Sequence, residues 1–185
     1  MSEKKRCFWC NLKNPIYVRY HDEEWGETNF DDTYLFEMLI LEGFQAGLSW
    51  ECILNKREEF RRAFDAFDYD LISSYSDDKL WELYENKGIV RNKLKIKAAV
   101  RNADIYKKIL IEFGSFYNYL REFWDGNTIF ETDKTTSALS DEISCDLKRR
   151  GMSFVGSTII YSYLQAIGVI DSHDRDCFKS KAWEK

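Results

Sequence analysis

The stretch from Leu147 to Gly168, LKRRGMSFVGSTIIYSYLQAIG, predicts two helices that are joined by a short turn. Gly151 ends the first helix and Gly156 precedes the second. Ser157 and Thr158 can cap the second helix, whose free backbone N–H groups would attract a phosphate. Three basic residues come directly before the turn. The same pattern fits an ordinary αα-hairpin, so it indicates a fold element more strongly than a function.

Helical periodicity extends over nearly the whole chain on both sides of this stretch. Spaced apolar residues with start and stop signals predict helices within 33–47, 49–64, 76–88, 92–114, 115–124, 137–151 and 157–168. Residues 126–136 lack this period and are expected to form a loop. No segment shows sustained alternation, and Pro15 is the single proline. We therefore expect an all-α fold, with residues 1–185 forming a single domain.

The charge pattern is uneven in a chain that carries a net charge of −5. The overall charge argues against a strong nonspecific polyanion binder. Six cations and no acid occur in one run, and a second basic cluster covers 148–150. Such runs are usually solvated helix faces, and a local phosphate-facing patch is the alternative. The cations of the first run are Lys87, Arg91, Lys93, Lys95, Lys97 and Arg101.

The expected location is the cytoplasm, with no membrane partner. The longest nearly uncharged run, near 38–50, is too short to cross a bilayer, and MSEKKRCFWC has no apolar stretch of the signal-peptide type. Five cysteines, an odd number, indicate reduced thiols.

Two cysteines and both histidines form a candidate metal set near the two ends of the chain. His173 and Cys177 are four residues apart and would share one face of a helix. With Cys7 and His21 they supply two thiolates and two imidazoles, the ligand set of a closed tetrahedral zinc site. Such a site would be structural and would tie the chain ends together. Chance proximity is the alternative, because the spacing is not that of a classical zinc finger.

The segment LEGFQAGLSW, residues 41–50, places the acid Glu42 in an otherwise apolar stretch. Glu42 and Trp50 are eight residues apart, so a continuous helix would point them toward a similar side. Gly43 and Gly47 would allow a base or a backbone to come close. The alternative is a buried acid that is satisfied by a backbone amide or a tyrosine hydroxyl.

These segments together resemble one known family. RCFWC, YHDEEWG, LEGFQAGLSW, the hairpin stretch and H-x3-C occur in the order found in 3-methyladenine DNA glycosylases of the constitutive bacterial type. The resemblance covers Arg6 to about Cys177. It implies an all-helical member of the helix–hairpin–helix glycosylase superfamily whose termini are joined by zinc. The implied activity is base excision repair: hydrolysis of the N-glycosidic bond of 3-methyladenine in alkylated double-stranded DNA, with the free base as product, by a monomer.

The resemblance also implies roles for individual residues. The zinc ligands map onto Cys7, His21, His173 and Cys177, with Cys10 as a substitute for Cys7. The base would be flipped into a pocket where Glu42 is catalytic and the base-binding residues are Tyr17, Tyr20, Trp25, Phe44 and Trp50. DNA contacts would come from Gly47, from Leu48 as a wedge, and from Gly151, Gly156, Ser157 and Thr158.

Two departures from the family pattern keep other readings open. Phe44 replaces an amide, and Asp171 stands two residues before His173. Asp171 is either an electrostatic stabiliser or, as we favour, a cap or a support for the metal-bound imidazole. Both departures favour, as an alternative, a broader alkylpurine range that includes 7-methylguanine. A non-catalytic, zinc-stabilised helical DNA-binding module is the alternative from another class. Lyase activity is not expected, because no lysine lies in the matched pocket segments.

Overall fold

The computed structural model describes residues 4–181, and their regular structure is almost entirely helical. This confirms the predicted all-α class. Residues 1–3 and 182–185 of the predicted domain lie outside the described part. The helices are α1 Pro15–Glu23, α2 Asp32–Gln45, α3 Trp50–Leu54, α4 Arg57–Ala63, α5 Tyr69–Ile72, α6 Asp77–Glu85, α7 Lys93–Phe113, α8 Phe116–Arg121, α9 Ala138–Arg150 and α10 Ser157–Ala166, with a 3₁₀ turn at Asp65–Phe67.

Capping side chains set the helix boundaries near the predicted positions. The Asp31 carboxylate accepts a hydrogen bond from the Tyr34 amide at the start of α2, and Asn92 does the same for the first amides of α7. Gly114 and Gly151 end α7 and α9 in the left-handed conformation, with φ of 81° and 104°. Local chemistry therefore accounts for these ends.

Two of the helix predictions are wrong, and helix α1 was missed. The helix predicted over 49–64 is two helices, α3 and α4, separated at Asn55 and Lys56. Its apolar spacing continues through the break because residues on both sides face one core. The segment from His173 to Cys177 is not helical. The helix α1, which begins with Pro15 after the cap Asn14, was not predicted.

Helix α2 lies at the centre of the molecule. Every residue from Leu35 to Phe44 is buried, and the helix packs against α7 and α10. Phe36 contacts Tyr106 of α7, with ring centroids 4.9 Å apart. An acid on this helix must therefore either find a partner or face an internal cavity.

The turn between α9 and α10, residues 151–156, is held by α7 and α2. The buried Asn102 side chain donates to Ser153 O at 2.9 Å and accepts from Ser153 N at 3.0 Å. Gly43 of α2 lies against the turn, since a Cβ there would come within 3.2 Å of Phe154 O. These contacts fix the hairpin relative to the helix that carries Glu42.

A minimal parallel sheet joins the predicted loop to the C-terminal segment. Strand β1, Ile129–Phe130, pairs with β2, Ile170–Asp171, with Ile129 opposite Ile170. The pairing brings residues 131–134 beside the C-terminal segment. None of the helices within residues 4–181 is both long and apolar enough to cross a membrane.

Candidate active site and metal centre

A cavity of about 330 Å³ lies between α1, α2, α3 and α10. One wall is aromatic and the opposite wall is polar, an arrangement typical of sites for flat polar ligands. The aromatic wall consists of Phe8, Trp9, Tyr17, Tyr20, Trp25 and Trp50. Glu42 and Gln45 come from α2, and the polar wall comprises Thr132, Asp133, Lys134, Ser162, Gln165, Ser172 and Asp174.

Glu42 is the buried acid of this cavity. Its side chain is 3 % exposed, and its Oε2 has no hydrogen-bond partner within residues 4–181. Trp50 Nε1, also in the cavity wall, is likewise buried and unpaired in the described structure. Burial raises the pKa of Glu42 to about 8, because the ionised form loses its hydration. The cavity thus presents an acceptor and a donor that a ligand can satisfy.

A second buried acid on the same helix shows the contrast. Glu37 accepts hydrogen bonds from Arg57 Nε at 2.6 Å and from Arg61 Nε at 2.8 Å. Glu42 has no such cation beside it. Glu37 is therefore a paired structural acid, whereas Glu42 faces the cavity.

Glu42 and Trp50 meet through a turn, so the expectation of a continuous helix between them is wrong. Helix α2 ends at Gln45, and α3 begins at Trp50 after the cap Ser49. Gly47 has φ of 82° in the intervening turn, a conformation that glycine adopts without strain. The turn brings Trp50 near Tyr20, with ring centroids 5.5 Å apart.

Phe44 does not line the cavity. It is 1 % exposed and packs against Phe60 and Phe64, with ring centroids 4.8 and 5.9 Å away. Its position on α2 points it to the opposite side from Glu42. The predicted base contact of Phe44 does not fit this position.

The four candidate metal ligands converge. Donor atoms of Cys7, His21, His173 and Cys177 all lie within 4.8 Å of one another, and all four residues are buried. His173 Nε2 is buried without a hydrogen-bond partner in the described residues. Two thiols and two imidazoles at this separation fit a metal ion that takes nitrogen and sulfur ligands. The cluster can therefore bind a metal.

Carboxylates orient both imidazoles of this cluster. His21 Nδ1 lies 2.9 Å from Asp22 Oδ1, and His173 Nδ1 lies 2.8 Å from Asp171 Oδ1. Burial opposes ionisation of Asp171, but its hydrogen bonds from His173 prevail and lower its pKa. The position of Asp171 agrees with the supporting role that we favoured from the sequence.

Cys10 stands apart from the cluster. It is buried, but its sulfur lies 4.0 Å from Tyr17 O and is not among the converging donor atoms. Trp25 lies between the cluster and the cavity, since its ring centroid is 4.5 Å from that of His173.

The predicted DNA-contacting residues lie on two sides of the hairpin. Gly47, Leu48 and Thr158 line a depression of about 180 Å³ that shares Glu42 with the main cavity. Leu48 is 43 % exposed, although it is apolar. Gly156 lines a separate groove on the α7 side of the hairpin.

Neither Ser157 nor Thr158 caps α10, contrary to the expectation. The N-cap is Gly156, and no described side chain caps the first turn. Ser157 Oγ instead lies 2.9 Å from Ser140 Oγ and donates to the Asp141 carboxylate. The first amides of α10 are thus left for another acceptor.

Several cavity residues were missed from the sequence. Trp9 lies beside the recognised cysteine, and Gln45 is three residues after Glu42, so both carried a local signal. Gln165 follows the hairpin on α10. Lys134 carried no signal, because β1 and the following loop bring it to the cavity. Lys134 forms an ion pair with Glu131.

Comparisons with known proteins agree with this geometry. The model of the family described as methyladenine glycosylase matches residues 9–180. DNA-3-methyladenine glycosylase 1 of Escherichia coli (strain K12) is 39 % identical over 180 residues, 94 % of this chain and 95 % of that protein. A crystal structure of 3-methyladenine DNA glycosylase I has a TM-score of 0.90 at 38 % identity, covering 95 % of this chain and 99 % of that one.

A structure described as showing 3-methyladenine recognition by 3-methyladenine DNA glycosylase I from Staphylococcus aureus is also similar. Its TM-score is 0.86 at 33 % identity, and the match covers 90 % of this chain and 92 % of that one. Sequence identity of 33–39 % over nearly the full length shows membership of the same family and not only a shared fold. The chain belongs to the methyladenine glycosylase family.

Proposed function

We propose that this protein is a monofunctional DNA repair glycosylase that hydrolyses the N-glycosidic bond of 3-methyladenine in double-stranded DNA and releases the free base. The observation that carries the proposal is the unpaired, buried Glu42 carboxyl group in an aromatic cavity. The similar proteins are named for the same activity.

The chemistry of the substrate explains why such a cavity suffices. Methylation at N3 makes the adenine of a deoxynucleotide cationic and weakens its glycosidic bond. The base leaves as a neutral molecule, so no strong general acid is needed. The protein must extrude the nucleotide, hold the base and admit water to C1′. Positive charge then develops on the sugar, as in other glycoside hydrolyses.

Glu42 and the rings around it provide selectivity for the charged base. A cationic purine favours the ionised carboxylate and accepts stacking from Trp50 and Tyr17, about 1–3 kcal/mol for each aromatic contact. An exocyclic amine can donate to the free Oε2 of Glu42. Normal adenine lacks the charge, so it gains less from the same carboxylate while it still loses its stacking in the duplex.

Two elements beside the cavity suit the flipped state of DNA. The exposed Leu48 can fill the space that the extruded nucleotide leaves. The first amides of α10, at Ser157 and Thr158, have no side-chain cap in the described structure and can donate to a phosphate. An acidic protein with few phosphate contacts would bind undamaged DNA weakly, which suits a search along the duplex.

We assign the metal cluster to a structural zinc ion. Cys7, His21, His173 and Cys177 would hold the ion, and four protein ligands would leave no position for a water molecule, so the ion would act as a cross-link. Two free thiols in this set call for a reducing compartment, and we propose a cytoplasmic location. We also propose that residues 1–185 act as one domain and as a monomer.

Phe44 and Asp171, the two residues that favoured a broader range of substrate bases, contact other parts of the protein. Phe44 is packed among core phenylalanines, and Asp171 is engaged with His173. Neither residue lines the cavity. We therefore propose 3-methyladenine alone as the preferred substrate.

Release of free base from methylated duplex DNA tests the function. We expect chromatography to show 3-methyladenine as the main product of the zinc-loaded protein. Glu42→Gln should lower the single-turnover rate by about 100-fold or more, the range for loss of one preorganised electrostatic group. Glu85→Gln, the same change on the exposed face of α6, should leave the rate unchanged. Folded protein that releases no methylated base would exclude the proposal.

A further inference from the structure

A groove of about 520 Å³ runs along the side of the hairpin that faces α7. Its basic lining residues are Lys97 and Arg101 of α7 and Lys148 of α9. We call the part of the surface that these three residues form the basic groove. Apolar atoms of Leu94, Met152 and Phe154 form the rest of its walls. None of the residues within 4–181 that line the groove is an acid.

The three cations of the basic groove are exposed and have no ion-pair partner in the described structure. Their neighbours differ in this respect. Arg149 and Arg150 bind Asp146, and Lys108 of α7 binds Asp104. In a chain with five more acids than bases, unpaired cations gathered on one surface are available for an anion from outside the protein.

The spacing of these cations suits an extended anion. Lys97 and Arg101 are four residues apart on α7, so they share a face about 6 Å apart along the helix axis. Lys148 belongs to α9 and lines the same groove. Because the three charges come from two positions along α7 and one on a second helix, we refer to them as a strip.

The strip is continuous with the hairpin. A Cβ at Gly151 would come within 3.0 Å of Arg101 Nη2, so the guanidinium lies directly over the turn. Gly156, which precedes the uncapped amides of α10, lines the same groove. Asn102, the residue after Arg101, fixes the turn through Ser153. One rigid surface thus combines α7 cations with hairpin amides.

We propose that the basic groove binds consecutive phosphates of the DNA backbone and extends the hairpin contact along the duplex. The proposal rests on the DNA glycosylase function given above. It adds a sequence-independent binding strip in a groove separate from the depression that Leu48 lines. The strip adds phosphate contacts on damaged and undamaged DNA alike and takes no part in base recognition.

The salt dependence of binding to an undamaged duplex tests the strip. Each lost phosphate contact lowers the slope of log K against log salt by about 0.9, which is roughly eightfold in affinity at 0.1 M salt relative to 1 M. We expect Lys97→Ala and Arg101→Ala each to show this loss, and the double variant about twice the slope change. Lys108→Ala, with the same change in charge on the same helix, is the control.

Further measurements separate the strip from the active site. Melting temperature and binding of free 3-methyladenine should be unchanged in the double variant. A double variant whose slope equals that of Lys108→Ala would overturn the proposal, as would a loss confined to damaged DNA. If the wild type excises no base while the slope changes as expected, the strip stands and the proposed enzyme activity fails. If the wild type excises the base normally while the slope of the double variant is unchanged, the enzyme activity stands and the proposed strip fails.

Discussion

At the level of single residues, two buried acids on helix α2 differ in whether their carboxyl groups are paired. Glu37 is neutralised by Arg57 and Arg61, whereas Glu42 keeps an unpaired oxygen in a cavity. A buried carboxylate without a partner is unfavourable to folding, so its proton stays bound at neutral pH. The free protein therefore keeps a neutral, unpaired acid at the place where a cationic base would favour its ionised form.

The stability of the free protein should record this acid through its pH dependence. The pKa of Glu42 is about 8 in the folded protein against an ordinary value of 4.5. Between these values the folded state binds more protons than the unfolded state, so the contribution of Glu42 falls as pH rises. We expect the stability of Glu42→Gln relative to wild type to increase by roughly 2–3 kcal/mol from pH 5 to pH 7.

Urea unfolding at both pH values measures this difference. Comparison with the variant removes the contributions of all other carboxylates. If the difference in unfolding free energy between the variant and the wild type were the same at pH 5 and pH 7, Glu42 would titrate with an ordinary pKa and its carboxyl group would be hydrated.

Lys95 shows how an element depends on a distant residue. Lys95 belongs to the basic run that we expected to be a solvated helix face. In the structure it is buried, and its amine donates to Phe44 O at 2.8 Å and to Ala46 O at 2.6 Å. These carbonyls belong to the end of α2, where a positive charge is favourable. Burial lowers the pKa of Lys95, but the carbonyls retain its amine as a donor. Lys95 therefore holds the turn between Glu42 and Trp50.

Replacing Lys95 should loosen that turn. Lys95→Met keeps most of the side-chain volume but leaves the two carbonyls without their donor, which costs about 1–3 kcal/mol. We expect a lower unfolding free energy and a slower excision rate, because Trp50 is less well held. Lys97→Met, at an exposed site two residues away, serves as the control in denaturant titration. Equal stabilities of the two variants would contradict this role of Lys95.

At the scale of the whole molecule, the two ends of the described chain meet at the metal cluster. Phe178 N donates to Lys5 O at 2.9 Å, and Asp174 N donates to Cys7 Sγ at 3.3 Å. Trp25 connects this junction to the base cavity. Trp9, which also lines the cavity, packs against His21 with ring centroids 5.2 Å apart, so two indole rings connect the junction of the chain ends to the cavity.

Removal of the metal should destabilise this closure. We expect Cys7→Ser to reduce bound zinc to well below one ion per chain and to lower the melting temperature by several degrees. Cys10→Ser, at a buried thiol outside the cluster, should retain the zinc. Elemental analysis and calorimetry measure the two effects. Loss of zinc in the Cys10 variant instead would assign that thiol as the ligand.

Local signals in the sequence determined the helices and much of the candidate site. Apolar periodicity, the caps Asp31 and Asn92, and the stops Gly114 and Gly151 act within a few residues, so they are readable without the fold. Glu42 and Trp50 both line the cavity, but a turn brings them together and not the continuous helix that we expected. The segment around His173 carried the ligand spacing but no helix.

Only the tertiary structure decided what each charged or aromatic residue contacts. Phe44 and Glu42 are two residues apart, yet one fills the core and the other faces the cavity. Lys95 and Lys97 are equally close, yet one caps α2 and the other lies in the basic groove. Burial and ion pairing depend on atoms from distant segments, which a local pattern does not contain. The sequence by itself therefore determined the all-α architecture and the set of reactive residues, and the packing of α2 against α7 and α10 decided which of them face the ligand.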